Sequence, residues 1–205
     1  DSIGKFTNAG VDLGGRRNIK KGIANEAAVS GANANEASRA MYNFSQALSS
    51  GYVKLIDWKS IENANMATVE FKKTLLEVAD GLGTVKKNAD GTYDSLTVNA
   101  QGKASEAFNA MKGFNDSLQA QWMNTEVLTK ALKIYATDVR ELTEDEKKLY
   151  EQELASIGLS PEQIQKFEQL GIKAADSATE IKTFSMLMDT LKESIGSGWA
   201  MTWEY

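Results

Sequence analysis

Apolar residues recur at three- and four-residue spacing along most of the chain, the period of an amphipathic α-helix. From Asn35, which can cap, Ala37, Ala40, Met41, Phe44, Ala47 and Leu48 form the first such stripe, and Gly51 closes it at the C′ position. Asp57 opens a short second helix through Ile61. A third runs from about Met66 to Asp80, with Phe71, Leu75, Leu76 and Ala79 on one side and Gly81 and Gly83 at its end. Between Thr84 and Val98 the pattern changes. Val85-Lys86-Lys87 and Ser95-Leu96-Thr97-Val98 flank Asn88-Ala89-Asp90-Gly91, and Asp-Gly is a strong hairpin turn.

Beyond Gly102 the helical period returns. Ala104, Ala107, Phe108, Met111 and Leu118 make one stripe; Val127, Leu128, Ala131, Leu132, Tyr135, Ala136 and Val139 make a broader one. Thr143 with Glu146 reads as a capping box before Leu149, Tyr150, Leu154 and Ile157. Ser160 caps a helix that begins at Pro161, where proline is welcome, carries Ile164, Phe167 and Leu170, and stops at Gly171. In the last helix Ile181, Phe184, Met188, Leu191 and Ile195 are spaced 3, 4, 3 and 4 apart, a heptad seam. Such a seam suits self-association or the core of a small helical unit.

These elements predict a mainly α fold, a multi-helix bundle with one inserted β-hairpin at about residues 84–98. Residues 1–34 are Gly-rich and basic, and read as a flexible lead-in. Residues 35–139 read as a helical domain carrying the hairpin. Residues 140–205 read as a helical segment whose heptad-like last helix continues into a longer protein. Phe44, Leu48, Trp58, Ile61, Phe71 and Leu75 are the expected core of one subdomain. Leu128, Leu132, Tyr135, Leu154 and Phe167 are the expected core of a second.

Composition narrows the chemistry. The 205 residues contain no His, no Cys and a single Pro. Disulfides, thiol nucleophiles, Ser–His–Asp triads and the usual zinc sites are therefore excluded within this chain. With 23 Lys and Arg against 28 Asp and Glu the net charge is −5, which argues against bulk or sequence-specific nucleic-acid binding. No apolar run approaches the roughly 18 residues of a membrane span.

The remaining candidates read as structural. The stretch from Gly10 to Gly15 lacks the Gly-Lys-Ser/Thr ending of a phosphate loop. A calcium loop at Asn88, Asp90, Gly91 and Asp94 fails because Lys86 and Thr97 occupy its first and last ligand positions. Glu141, Glu144, Asp145, Glu146, Glu151 and Glu153 stand beside Lys147 and Lys148 where a helix begins, and suit a solvated face better than an acid/base pair. The Arg16-Arg17-Asn18-Ile19-Lys20-Lys21 cluster reads as a solvated basic arm. Trp58 and Trp122 read as packing residues. Trp199 and Trp203, four residues apart, share a helical face beside the seam. No catalytic residue, no metal and no cofactor is expected. The predicted self-association surface is Ile181, Phe184, Met188, Leu191, Ile195, Trp199 and Trp203.

Three stretches resemble the tail tape measure proteins of long-tailed bacteriophages, near the start of such proteins. They are Met41 to Gly51 followed by Leu55 to Ala64; the hairpin from Gly83 to Val98, leading on to Trp122 to Leu128; and Ser197 to Glu204. The resemblance covers roughly residues 35–205 and rests on the order and spacing of the motifs. It implies a structural, non-enzymatic protein of a phage or prophage. Such proteins lie in several copies inside the tail tube, set tail length and template tail assembly. The implied partners are further copies of itself, tail tube and tail-tip proteins, tail assembly chaperones and, during ejection, the host membrane. The implied location is the interior of the virion tail, with the host cytoplasm during assembly. A membrane-active helical effector or pore-forming segment is the alternative, which the acidic balance disfavours. A carboxylate-based hydrolase using Glu146 or Glu151 is a third.

Overall fold

The computed structural model describes residues 19–180. The fold is mainly α with one inserted β-hairpin. The first helix, α1 (19–30), turns at Gly31 into α2 (Ala34–Ser50). Asn33, two residues before the expected cap, closes a capping box with Glu36, and Gly51 ends α2 in the left-handed conformation (φ 93°). The next helix, α3 (Leu55–Asn63), uses Asp57 from inside its first turn, where the carboxylate accepts from the Lys54 amide at 3.2 Å. Thr68 caps α4 (Val69–Leu82) by accepting from the Phe71 amide at 3.1 Å.

The hairpin pairs β1 (Val85–Lys87) with β2 (Tyr93–Ser95), antiparallel, Val85 opposite Ser95 and Lys87 opposite Tyr93. The second strand thus precedes the expected Ser95–Val98. Tyr93, buried against Phe108, holds the register, whereas Leu96 and Val98 are exposed. The stripe expected from Ala104 to Leu118 is not one helix. Asn99 and Asn109 side chains accept backbone N–H groups of the residues that follow them, a local alternative to helical hydrogen bonding. Phe108 instead bridges to Tyr93 through paired backbone bonds of 2.7 and 2.9 Å. Helix begins only at α5 (Phe114–Ser117), and Met111 points into solvent.

After Asn124 caps α6 (Thr125–Ala136), the Thr143–Glu146 capping box opens α7 (Glu144–Ser156). Ser160 caps α8 (Pro161–Glu180) by accepting from the Gln163 amide at 3.2 Å. Two readings need correcting here. Gly171 does not stop α8; it lies within the helix, where a Cβ would strike the carbonyl oxygens of Thr137 and Ile134. Nor is 19–34 a loose lead-in: every residue from 22 to 28 is buried, so α1 is a central helix. Its packing relies on small residues, with Gly22 against the backbone of Leu132. Residues 1–18 lie outside the described part.

One contiguous core runs from Ile19 to Ala174 and joins the residues expected to form two. Phe44, Trp58, Ile61, Phe71 and Leu75 share it with Leu128, Leu132, Tyr135, Leu154 and Phe167. An aromatic chain from Trp58 through Phe114 to Trp122 and Phe108 ties the inserted segment to α3 and α4, with centroid separations of 5.1, 5.6 and 5.7 Å.

Candidate functional site

The predicted self-association residues Ile181, Phe184, Met188, Leu191, Ile195, Trp199 and Trp203 all lie outside the described residues. What precedes them is α8. Its inward stripe, Ile164, Phe167, Gly171, Ala174 and Ala178, is itself spaced 3, 4, 3 and 4 apart and is fully covered by the fold, largely by α6. The sequence step from Ala178 to Ile181 is three, so the first seam residue falls in the same register.

α8 also forms one wall of a cleft of about 430 Å³ whose other wall is α4. Thr74, Phe167 and Leu170 make the floor. Ion pairs close the two ends: Glu70 with Lys173 at 3.6 Å and Glu77 with Lys166 at 2.5 Å. The amide of Gln163 adds a 3.1 Å bond to Glu77. The two clasps are seven residues apart on each helix, which repeats the same helical face twice. Their lysines are exposed, so the pairs contribute little to stability.

The carboxylates singled out in the sequence have separate tasks. Glu146 accepts the Thr143 amide at 2.8 Å and is exposed. Glu153 takes Lys130 at 3.1 Å and Lys133 at 2.5 Å, fastening α7 to α6. Burial raises its carboxyl, and the two ammonium groups outweigh that and leave it below the ordinary glutamate value. Glu151 meets Glu168 of α8. Burial, then hydrogen bonding and charge from Glu151, raise the Glu168 carboxyl to about 7, with Lys147 opposing. Two carboxylates that face each other cannot both ionise cheaply, so Glu168 keeps its proton well above the ordinary glutamate range.

Sequence spacing alone does not reveal this pair, because its members lie on different helices. It also missed Glu26, which lies in the core of α1 with 0% exposure. Beside it the Asn25 side chain donates to the Tyr135 carbonyl at 2.9 Å. Among the described residues no group of three or more His, Cys, Asp or Glu side chains is arranged to hold a metal ion. No described helix is long and apolar enough to cross a membrane. No family model, curated protein or solved structure matches the chain.

Proposed function

We propose that the chain is a structural, non-enzymatic segment of a bacteriophage or prophage tail tape measure protein. What supports the reading is how two stretches that carry the resemblance meet. The turn after α2 pairs with the entry to α6: the Val53 amide donates to the Met123 carbonyl at 2.8 Å, and the Thr125 amide to the Gly51 carbonyl at 3.0 Å. Trp58 and Trp122, one from each stretch, are both fully buried and both touch Phe114. The two stretches thus meet as one structural joint. A joint of this kind suits a protein whose task is to pack and assemble.

Self-association through the 181–203 seam belongs to the same reading. Replacing Phe184 and Leu191 by Lys should convert an oligomer of this chain to monomer in analytical ultracentrifugation; an oligomer that persists removes the seam from the proposal. The function itself is tested in the encoding phage. Purified tails should contain the chain by mass spectrometry. In-frame deletions in the tape measure reading frame should shorten the tail in proportion, by about 1.5 Å per residue where the deleted segment is one extended helix. Tails of unchanged length that lack the chain would refute the reading.

A further inference from the structure

Glu26 lies in α1 with 0% exposure. Its Oε2 accepts from the Ser30 hydroxyl one turn later, at 2.5 Å, and its Oε1 has no hydrogen-bond partner. None of the ion pairs formed among the described residues reaches it. From α6 it faces Tyr135, whose hydroxyl bonds Thr74 of α4; burial, then the charges of Glu26 and of Glu70, push that hydroxyl up. Each of these facing groups is neutral or acidic. An ionised carboxylate enclosed this way loses its hydration and gains one hydroxyl in return, so burial pushes the carboxyl well above the ordinary glutamate range.

α1 is joined to α6 and, through Lys21 and Glu141 at 3.6 Å, to the turn that follows α6. Asn25 bonds the Tyr135 carbonyl, and Gly22 lies on the Leu132 backbone, both in α6. At the other end Gly31 takes φ 83° and closes α1, its amide donating to the Ala28 carbonyl at 3.2 Å and that of Ala32 to the Ala27 carbonyl at 2.9 Å. We infer that α1 is a proton-locked element: Glu26, enclosed with one carboxylate oxygen unpartnered, is seated as the neutral acid, and its ionisation loosens α1 from α6. This does not rest on the tape-measure reading.

The sign follows from linkage. The seated state binds the proton more tightly than the released state, in which Glu26 is an ordinary exposed glutamate. Above the ordinary glutamate range, each pH unit therefore shifts the equilibrium about tenfold toward release, until the seated carboxyl itself ionises. Hydrogen exchange on the full chain from pH 5 to 8, corrected for intrinsic chemical exchange and resolved by peptide, tests this. Peptides from 19–30 should lose protection about tenfold per pH unit while those of α4 and α6 hold. Glu26→Gln, or Glu26→Met where the amide packs poorly, should flatten the dependence. Protection in 19–30 that ignores pH in the unmodified chain would overturn the inference, whether or not the variants fold. So would loosening of α1, α4 and α6 together, or a slope retained in a folded Glu26 variant.

Discussion

Phe71 of α4 and Tyr135 of α6 meet edge to face, with ring centroids 5.6 Å apart and planes at 80°. The contact joins residues that the helical stripes assign to two separate cores. Both rings are essentially without solvent contact, and Trp58 stacks on Phe71 at 6.0 Å. Phe71→Ala should therefore cost about 3–5 kcal/mol, the usual range for emptying a buried phenylalanine site. Because the core is shared, urea unfolding followed by tryptophan fluorescence and by far-UV circular dichroism should give coincident transitions. Two separated transitions would mean that two cores exist after all.

Gly171 gives a prediction opposite to helix propensity. In a solvent-facing helix, Gly→Ala stabilises by up to about 1 kcal/mol. Here the added methyl would enter the space occupied by the Thr137 and Ile134 carbonyls, and backbone cannot step aside as a side chain can. Gly171→Ala should lower stability by about 1–3 kcal/mol, the cost of overpacking, and the melting temperature should fall. Gly22→Ala should behave alike against Leu132. A rise in melting temperature for either would show that the helices stand farther apart.

What was legible in the sequence and what was not divides along the same line. Gly51, Thr143 with Glu146, and Ser160 with Pro161 act within one turn of their own helix, so spacing alone revealed them. Gly171 was misread because a glycine that ends a helix and one that lets a neighbour approach look identical until the neighbour's backbone is known. Residues 19–30 were misread because Ala24, Ala27 and Ala28 give a weak hydrophobic signal, yet small size is what allows a helix to be enclosed. Leu96 and Val98 misled in the other direction: strand-like residues left in solvent, while Tyr93 pairs in their stead. Of the candidate site, sequence supplied only the seam spacing. The Glu151–Glu168 pair and the enclosure of Glu26 depend on which helices adjoin.

Glu168 carries a pH prediction. Its carboxyl is raised to about 7 by burial, then by its bond to Glu151 and that residue's charge. In the unfolded chain it titrates as an ordinary glutamate, so the folded state holds its proton more tightly. The sign is then fixed. The contribution of this group to stability is full below the ordinary glutamate value and is lost as pH rises toward and through about 7. Glu168→Gln keeps a hydrogen-bonding side chain and removes the titration. Its melting temperature should fall less than that of the unmodified chain between pH 5 and pH 8. Parallel pH profiles for the two proteins would refute the raised Glu168 carboxyl.

Ser117 and Trp122 supply the sharpest test of the inserted segment. The indole Nε1 of Trp122 donates to the Ser117 hydroxyl at 2.8 Å, and that hydroxyl in turn donates to the Phe114 carbonyl at 2.5 Å. Both side chains are buried, so neither donor has water as a substitute. Ser117→Ala deletes only an oxygen but strands an indole N–H in the core, which costs about 1–3 kcal/mol. Trp122→Phe in the same background removes the stranded donor. The double variant should therefore lose less than the sum of the two single changes, and a double-mutant cycle by urea denaturation measures the difference. Strict additivity would mean that the serine and the indole act independently, and that the joint between the inserted segment and α6 is held by ring packing alone.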